Sequence, residues 1–295
     1  MPDKGLPARD EPALYGLVDE PDSVAGELLV SGWEAGRIDT RVAHPARMYD
    51  YYLGGKDNYQ VDRDAAEEVL AVLPEGRDMA LANRAFLGRA VRFLAARGIR
   101  QFLDIGTGIP GPGNTGEVAR RVAPDARVIY VDNDPIVLSH TQSLLAHHDP
   151  GHTAVIEADL RDPDSILMHP DVVRVLDFTQ PIAVLLVAVL HFLRPMDEPV
   201  EVVARLKQAL PSGGYLVISH GTSDFEPERA FAAVKGYSHA SAPFVLRSHQ
   251  QIGEFFDGLD LVEPGLVQLP WWRPDGAVPE DSDRIWIYGG IGVKP

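Results

Sequence analysis

The stretch Phe102-Leu103-Asp104-Ile105-Gly106-Thr107-Gly108-Ile109-Pro110-Gly111-Pro112-Gly113-Asn114 decides how this chain folds. It opens as the end of an apolar strand and then bends through glycines, where backbone can approach a ligand that a Cβ would meet. With Gly111 the loop spells G-x-G-x-x-G, and Asp132 follows about where a ribose-binding acid would sit. A dinucleotide oxidoreductase is therefore one open reading. Three features count against it. Asp104 stands two positions before the first glycine, where the dinucleotide fingerprint carries an apolar residue; a carboxylate there suits a ligand's ammonium or a bound water. Pro110 and Pro112 block helix continuation and push the residues before them out of helical geometry. A pyrophosphate site needs its helix to begin by the second glycine, whereas here the helix is expected only from Asn114, a good N-cap residue. Finally, Asp159 follows a third strand, where an acid can accept from an adenine amino group.

Outward from this loop the chain alternates strand and helix. Strands are expected over 101–105, 127–131, 153–157, 182–190 and 215–219. Helices are expected over about 114–122, 135–147, part of 163–176, and 200–210. The run 182–190 is continuously apolar, as a central strand buried on both faces should be. Repeated β-α-β units predict a parallel sheet with helices on both faces. After a helix over 249–256, strands over 261–269 and 284–293 predict a terminal antiparallel hairpin. Upstream, helical patterns cover 45–53, 62–73 and 78–97, the last with Leu81, Phe86, Leu87, Ala90, Phe93 and Leu94 on one side and Gly98 as its stop. Residues 1–40 read as an extended arm. The expected organisation is an arm and helical cover over 1–97, then an α/β domain over 98–295.

Composition narrows the function class. The formal charge of −16, from 27 basic and 43 acidic residues, repels phosphate backbones, so no nucleic-acid partner is expected. No apolar run approaches the roughly 20 residues needed to cross a bilayer, and residues 1–12 lack signal-peptide features; a cytoplasmic protein without a membrane partner is expected. The absence of cysteine rules out disulfides and thiolate metal sites. The acidic surface is read as solubility.

The loop, the three acids and their order along the chain resemble the class I S-adenosylmethionine (SAM)-dependent methyltransferases over roughly residues 98–293. The block Pro45 to Glu67 with its leading His44 (HPARMYDYYLGGKDNYQVDRDAAE), followed by LDIGTGIPGPGN, extends the likeness to a methyltransferase-like family over nearly the whole chain. The resemblance implies a Rossmann-like, seven-stranded sheet, with SAM as cofactor and S-adenosylhomocysteine as product. It implies that Asp104, Gly106, Thr107 and Gly108 surround the methionine part. Asp132 would bind the ribose hydroxyls, Asp159 with Leu160 would contact adenine, and Asn133 would belong to the same cofactor site. The segment Val187 to Leu193 would line the methyl-transfer cavity. The acceptor is expected to be a small molecule. A SAM- or S-adenosylhomocysteine-binding protein without catalysis remains a second reading.

Other residues are weighed on their chemistry. His191 follows an apolar strand and is the candidate general base, since imidazole titrates near neutrality; a satisfied core histidine is the alternative. Tyr52, Lys56, Asp57 and Asn58 form a polar and aromatic group that suits a lid or an acceptor site. The alternative is an aromatic cluster stapling the cover to the core. His147, His148, Asp149 and His152 match no metal pattern, and no metal is expected. Trp271-Trp272 suit either the acceptor cavity wall or packing under the hairpin, and packing is expected.

Overall fold

A five-stranded parallel sheet forms wherever the strand-helix alternation is strongest. The computed structural model describes residues 39–145, 151–238 and 240–295. The expected arm, up to residue 38, and the group His147, His148 and Asp149 lie outside the described residues. In chain order the elements are α1 (Pro45–Tyr52), α2 (Gln60–Val72), α3 (Gly76–Ala96), β1 (Gln101–Ile105), α4 (Thr115–Val122), β2 (Arg127–Asp132), α5 (Pro135–Leu145), β3 (Thr153–Glu157), α6 (Pro163–Leu167), α7 (Pro170–Val175), β4 (Ala183–Val187), α8 (Pro199–Ala209), β5 (Tyr215–Gly221), α9 (Pro227–Val234), α10 (His249–Gly253), β6 (Asp260–Leu261), β7 (Val267–Gln268) and β8 (Ile287–Val293).

The strands run in the order β3-β2-β1-β4-β5-β8-β6, with β7 also on β8. β1 to β5 pair in parallel, and β8 runs antiparallel to β5, β6 and β7. The α/β class and the antiparallel end therefore stand, with one difference: the sheet has eight strands. The strand expected over 261–269 is two short pieces on either side of a turn in which Gly265 donates to the Val262 carbonyl at 2.9 Å. Pro264 interrupts the piece because it carries no ladder donor.

β4 stops at Val187, short of the expected residue 190. Ala188 turns into left-handed geometry, and Leu190–Phe192 form a 3-10 turn. Leu190 is as buried as the strand itself, so the apolar run gives no sign of where extended backbone ends. α9 has no counterpart in the expected pattern; its buried face is carried by alanines, Ala230 and Ala233.

The core has two parts, one on each face of the sheet. One joins α1, α2, α3, α4 and α9 to the sheet through Met48, Ala66, Phe86, Leu94, Phe102 and Tyr130. The other joins α6, α7, α8 and α10 through Leu103, Ile129, Ile166, Val203, Ile218 and Ile252. Trp272 is fully buried edge-on to Phe86 and Phe93, as its packing reading expects, while Trp271 is exposed. Residues Arg37–Pro295 form one compact unit, so α1–α3 are part of the body that carries the sheet.

In an open parallel sheet, ligands bind beyond the carboxyl ends of strands where the strand order reverses. That point lies between β1 and β4, and α1 from the cover and α9 line the cavity there.

Candidate active site

The loop after β1 is shaped by its neighbours. Gly106 adopts φ +74°, and a Cβ there would meet Val189 Cγ2 at 2.4 Å, so both the backbone and the close approach call for glycine. Its N–H donates to the Val131 carbonyl at 2.8 Å. Gly108 donates to Asp132 Oδ2 at 2.9 Å, tying the loop to the end of β2. Asp104 is buried and accepts from Thr115 Oγ1 at 2.6 Å and from Thr107 Oγ1 at 3.5 Å. Burial pushes its carboxyl up to about 6, against the opposing pull of those hydroxyls and the nearby Arg84 guanidinium.

α4 begins where the prolines permit. Asn114 caps it, accepting from Glu117 N at 3.1 Å. The Gly116 N–H donates to Tyr130 Oη at 2.9 Å, and the Gly113 N–H donates to the Glu117 carboxylate at 2.8 Å. The donors a pyrophosphate would use are already satisfied, and an acid stands beside them. This removes the physical basis of the dinucleotide reading.

At the end of β2, Asp132 Oδ1 accepts from Asp134 N at 2.9 Å. Each of its carboxylate oxygens thus has one internal donor and one lone pair left. Burial raises its titration above the ordinary carboxylate range. The cover reaches this point directly: His44 Nδ1 lies 2.9 Å from Asp134 Oδ2, and Arg47 Nε lies 3.6 Å from the same oxygen. Burial works to raise the Asp134 carboxyl, but the close His44 contact, with help from the Arg47 charge, holds it below the usual range. Arg47 is buried; its Nη2 donates to the Val42 carbonyl at 2.9 Å, while Nε and Nη1 have no hydrogen-bond partner.

Past β3, Asp159 is held by Arg161 in a forked ion pair and also receives a hydrogen bond from the Asn133 side chain. The Arg161 contact draws its carboxyl below the usual range. Leu160 is buried beside it.

Asp104, Gly106, Thr107, Gly108, Asp132, Asn133, Asp159 and Leu160 all line one cavity of about 630 Å³, and His191 and Tyr52 line it too. That volume falls within the roughly 300–1,000 Å³ usual for small-molecule sites. Away from the acids the wall is apolar and aromatic, with Phe192, Phe244 and Trp286. His191 is buried, stacks on Phe244 with ring centroids 4.1 Å apart, and accepts from Gly221 N at 3.4 Å. Burial, then His220 and Arg247, push its titration well below 6.5. The same burial weakens it as a base, which counts against the general-base expectation.

Lys56, Asp57 and Asn58 do not line this cavity. The LGGKDN loop instead closes around Asp50, whose Oδ2 accepts from Asp57 N at 2.9 Å and from Asn58 Nδ2 at 2.7 Å. Asp57 otherwise faces His140 at 3.8 Å, and Lys56 is exposed. The polar residues of this loop are spent on shaping a turn, and of Tyr52, Lys56, Asp57 and Asn58 it is Tyr52 that lines the cavity.

Arg84 and Tyr237 are cavity residues absent from the sequence reading. No hydrogen bond or ion pair joins Arg84 to any described residue; its guanidinium lies 5.9 Å from the Tyr49 ring. A signal existed: Ala80, Leu87 and Val91 are buried on the α3 stripe that passes through position 84, so Arg84 is a charge at a core-facing position. Tyr237 carried no such mark.

The chain matches the model of the S-adenosyl methyltransferase family over residues 31–295. It is similar to a solved DUF574 family protein from Streptomyces avermitilis, with 47% identity and a TM-score of 0.84 over 88% of this chain and 100% of that one. A solved candidate methyltransferase from Thermobifida fusca shares 41% identity with a TM-score of 0.82, over 90% of this chain and 99% of that one. None of the curated proteins matches. The chain belongs to the S-adenosyl methyltransferase family, whose cofactor is SAM.

Proposed function

We propose that the cavity seats SAM with its amino-acid end between Asp104 and Arg84, its ribose against Asp132 and its adenine beside Asn133, Asp159 and Leu160, and that a small-molecule acceptor occupies the aromatic half. The observation that carries this reading is that one cavity holds Asp104, a buried carboxylate, and Arg84, a cation with no hydrogen bond or ion pair to a described residue. An α-amino acid presents one ammonium and one carboxylate, and these two side chains are complementary to both. The lone pairs left on Asp132 suit two adjacent hydroxyl donors. The acids Asp104, Asp132, Asp134 and Asp159 around one cavity also favour a cationic ligand.

When bound, SAM supplies a methyl group activated by a sulfonium sulfur. The chain's own task is to hold donor and acceptor in one geometry and to exclude water. The cover closes the cavity from above through α1, and the backbone at Gly106 packs against Val189. His191 serves here as a neutral wall that orients the acceptor through stacking, which suits a nucleophile that needs no strong base. Binding without catalysis would need no second compartment, and the aromatic half favours transfer.

Arg84→Gln tests the seating. SAM affinity should fall roughly tenfold to a hundredfold, the range for a lost hydrogen bond to a charged group. Calorimetry with 5′-methylthioadenosine, which lacks the amino-acid group, should show no change. An equal loss for both ligands would mean that Arg84 is structural, and unchanged SAM affinity would overturn the seating.

A further inference from the structure

Two phenol hydroxyls meet inside the apolar half of the cavity. Tyr52, at the end of α1, and Tyr237, just past α9, lie with their oxygens 3.4 Å apart, and both are buried. Neither hydroxyl has another hydrogen-bond partner among the described residues. A pair of hydroxyls carries two hydrogens and four lone pairs, and the contact between them uses one hydrogen at most. One donor is therefore left facing an apolar space, and the bond that engages the other is long. Unspent donors in an apolar wall are costly unless a ligand takes them up. Burial raises both hydroxyls, Tyr237 to about 12, so both keep their hydrogens at neutral pH.

The surroundings define the rest of the ligand. Among the described residues, every lining residue from α9, from 237–246 and from 286–287 is uncharged. His191, which lines the same space, is buried, and burial disfavours its charged form. Arg84 acts electrostatically on Asp104 and lies 5.9 Å from the Tyr49 ring. A charged acceptor entering between Phe192, Phe244 and Trp286 would lose its hydration without gaining a counter-charge. The rings of Phe192, Phe244 and Tyr237 form a connected set, with centroids 5.0–6.1 Å apart, and such walls favour a flat apolar body.

We propose that the acceptor is an uncharged aromatic small molecule carrying a hydroxyl or carbonyl oxygen, and that the Tyr52–Tyr237 pair holds this oxygen by hydrogen bonds. The proposal rests on the seating of SAM in the other half of the cavity.

The test uses the full chain saturated with S-adenosylhomocysteine, titrated with three bicyclic probes: 2-naphthol, 2-methylnaphthalene and naphthalene-2-carboxylate. The expected order is 2-naphthol tightest, the hydrocarbon weaker, and the carboxylate weakest by at least tenfold. In the Tyr52→Phe/Tyr237→Phe variant, 2-naphthol should weaken roughly five- to tenfold while 2-methylnaphthalene is unchanged. Tightest binding by the carboxylate, or no binding by any probe, overturns the proposal. So does a variant that retains S-adenosylhomocysteine and binds 2-naphthol as the native chain does. If the variant does not fold, the probe order on the native chain decides. Failure of S-adenosylhomocysteine to bind the native chain is a separate result, which removes the seating and the proposal with it.

Discussion

Asp104 shows how much a single carboxyl at a strand end can control. Its titration near 6 lies above the roughly 3.9 of an unfolded aspartate. Between those values the folded protein holds a proton that the unfolded chain has released. The contribution of Asp104 to stability without ligand therefore declines as pH rises from about 4 to about 6 and is level above that. Binding runs the other way, because an ammonium needs the ionised carboxylate. SAM affinity should rise with pH up to about 6 and then flatten, as calorimetry across pH 5–8 would record. Asp104→Asn should weaken binding at pH 7.5 and reduce the slope, and an equally steep profile in that variant would remove Asp104 from the ammonium site. At this scale the sequence was informative wherever a motif fixed backbone and side chain together, as at Gly106 and Asp104. It was misleading at Lys56-Asp57-Asn58, because a polar cluster reads the same whether it serves a ligand or an internal turn; here Asp50 takes the donors. Arg84 was legible only as a charge out of place on a buried helical stripe.

Among the elements, the cover is organised by Asp62. Its carboxylate is fully buried, accepts from His44 N at 2.9 Å and Tyr59 N at 2.8 Å, and lies 3.5 Å from Arg47 Nε. It therefore caps α2, anchors the start of α1 and balances a buried guanidinium. Asp62→Ala leaves two backbone donors and a buried charge without that partner, and should cost about 3–5 kcal/mol in denaturant unfolding. A loss below about 1 kcal/mol, the size of an ordinary cap, would show that Asp62 does not hold the cover together. Most helices and strands were legible from period and punctuation, and the N-cap at Asn114 follows directly from the proline pair. The misplaced boundaries have a common cause. Where a turn is as apolar as the strand it ends, as at Val189-Leu190, or where a buried face is made of alanine, as in α9, hydropathy does not change at the boundary.

Across the whole molecule, the cavity lies at the β1–β4 switch point of the sheet. The closure of that cavity by α1 and the 237–246 segment was not legible, because it depends on contacts between residues nearly two hundred positions apart, such as Tyr52 with Tyr237. Ala43 forms a bridge with Ala240, and His44 meets Asp134 across the acidic end. The backbone amides of α1 should therefore exchange more slowly when SAM is bound, and unchanged exchange there would mean that α1 does not respond to the ligand.

The central claim is that Asp104, Asp132 and the acidic end of the cavity form a SAM site. Its most direct test is calorimetric titration of the native chain and of Asp132→Ala with SAM, S-adenosylhomocysteine and NAD. The account predicts binding of SAM and S-adenosylhomocysteine to the native chain, loss of both in the variant, and no heat with NAD. NAD binding in place of SAM, or SAM binding that survives Asp132→Ala undiminished, would contradict it.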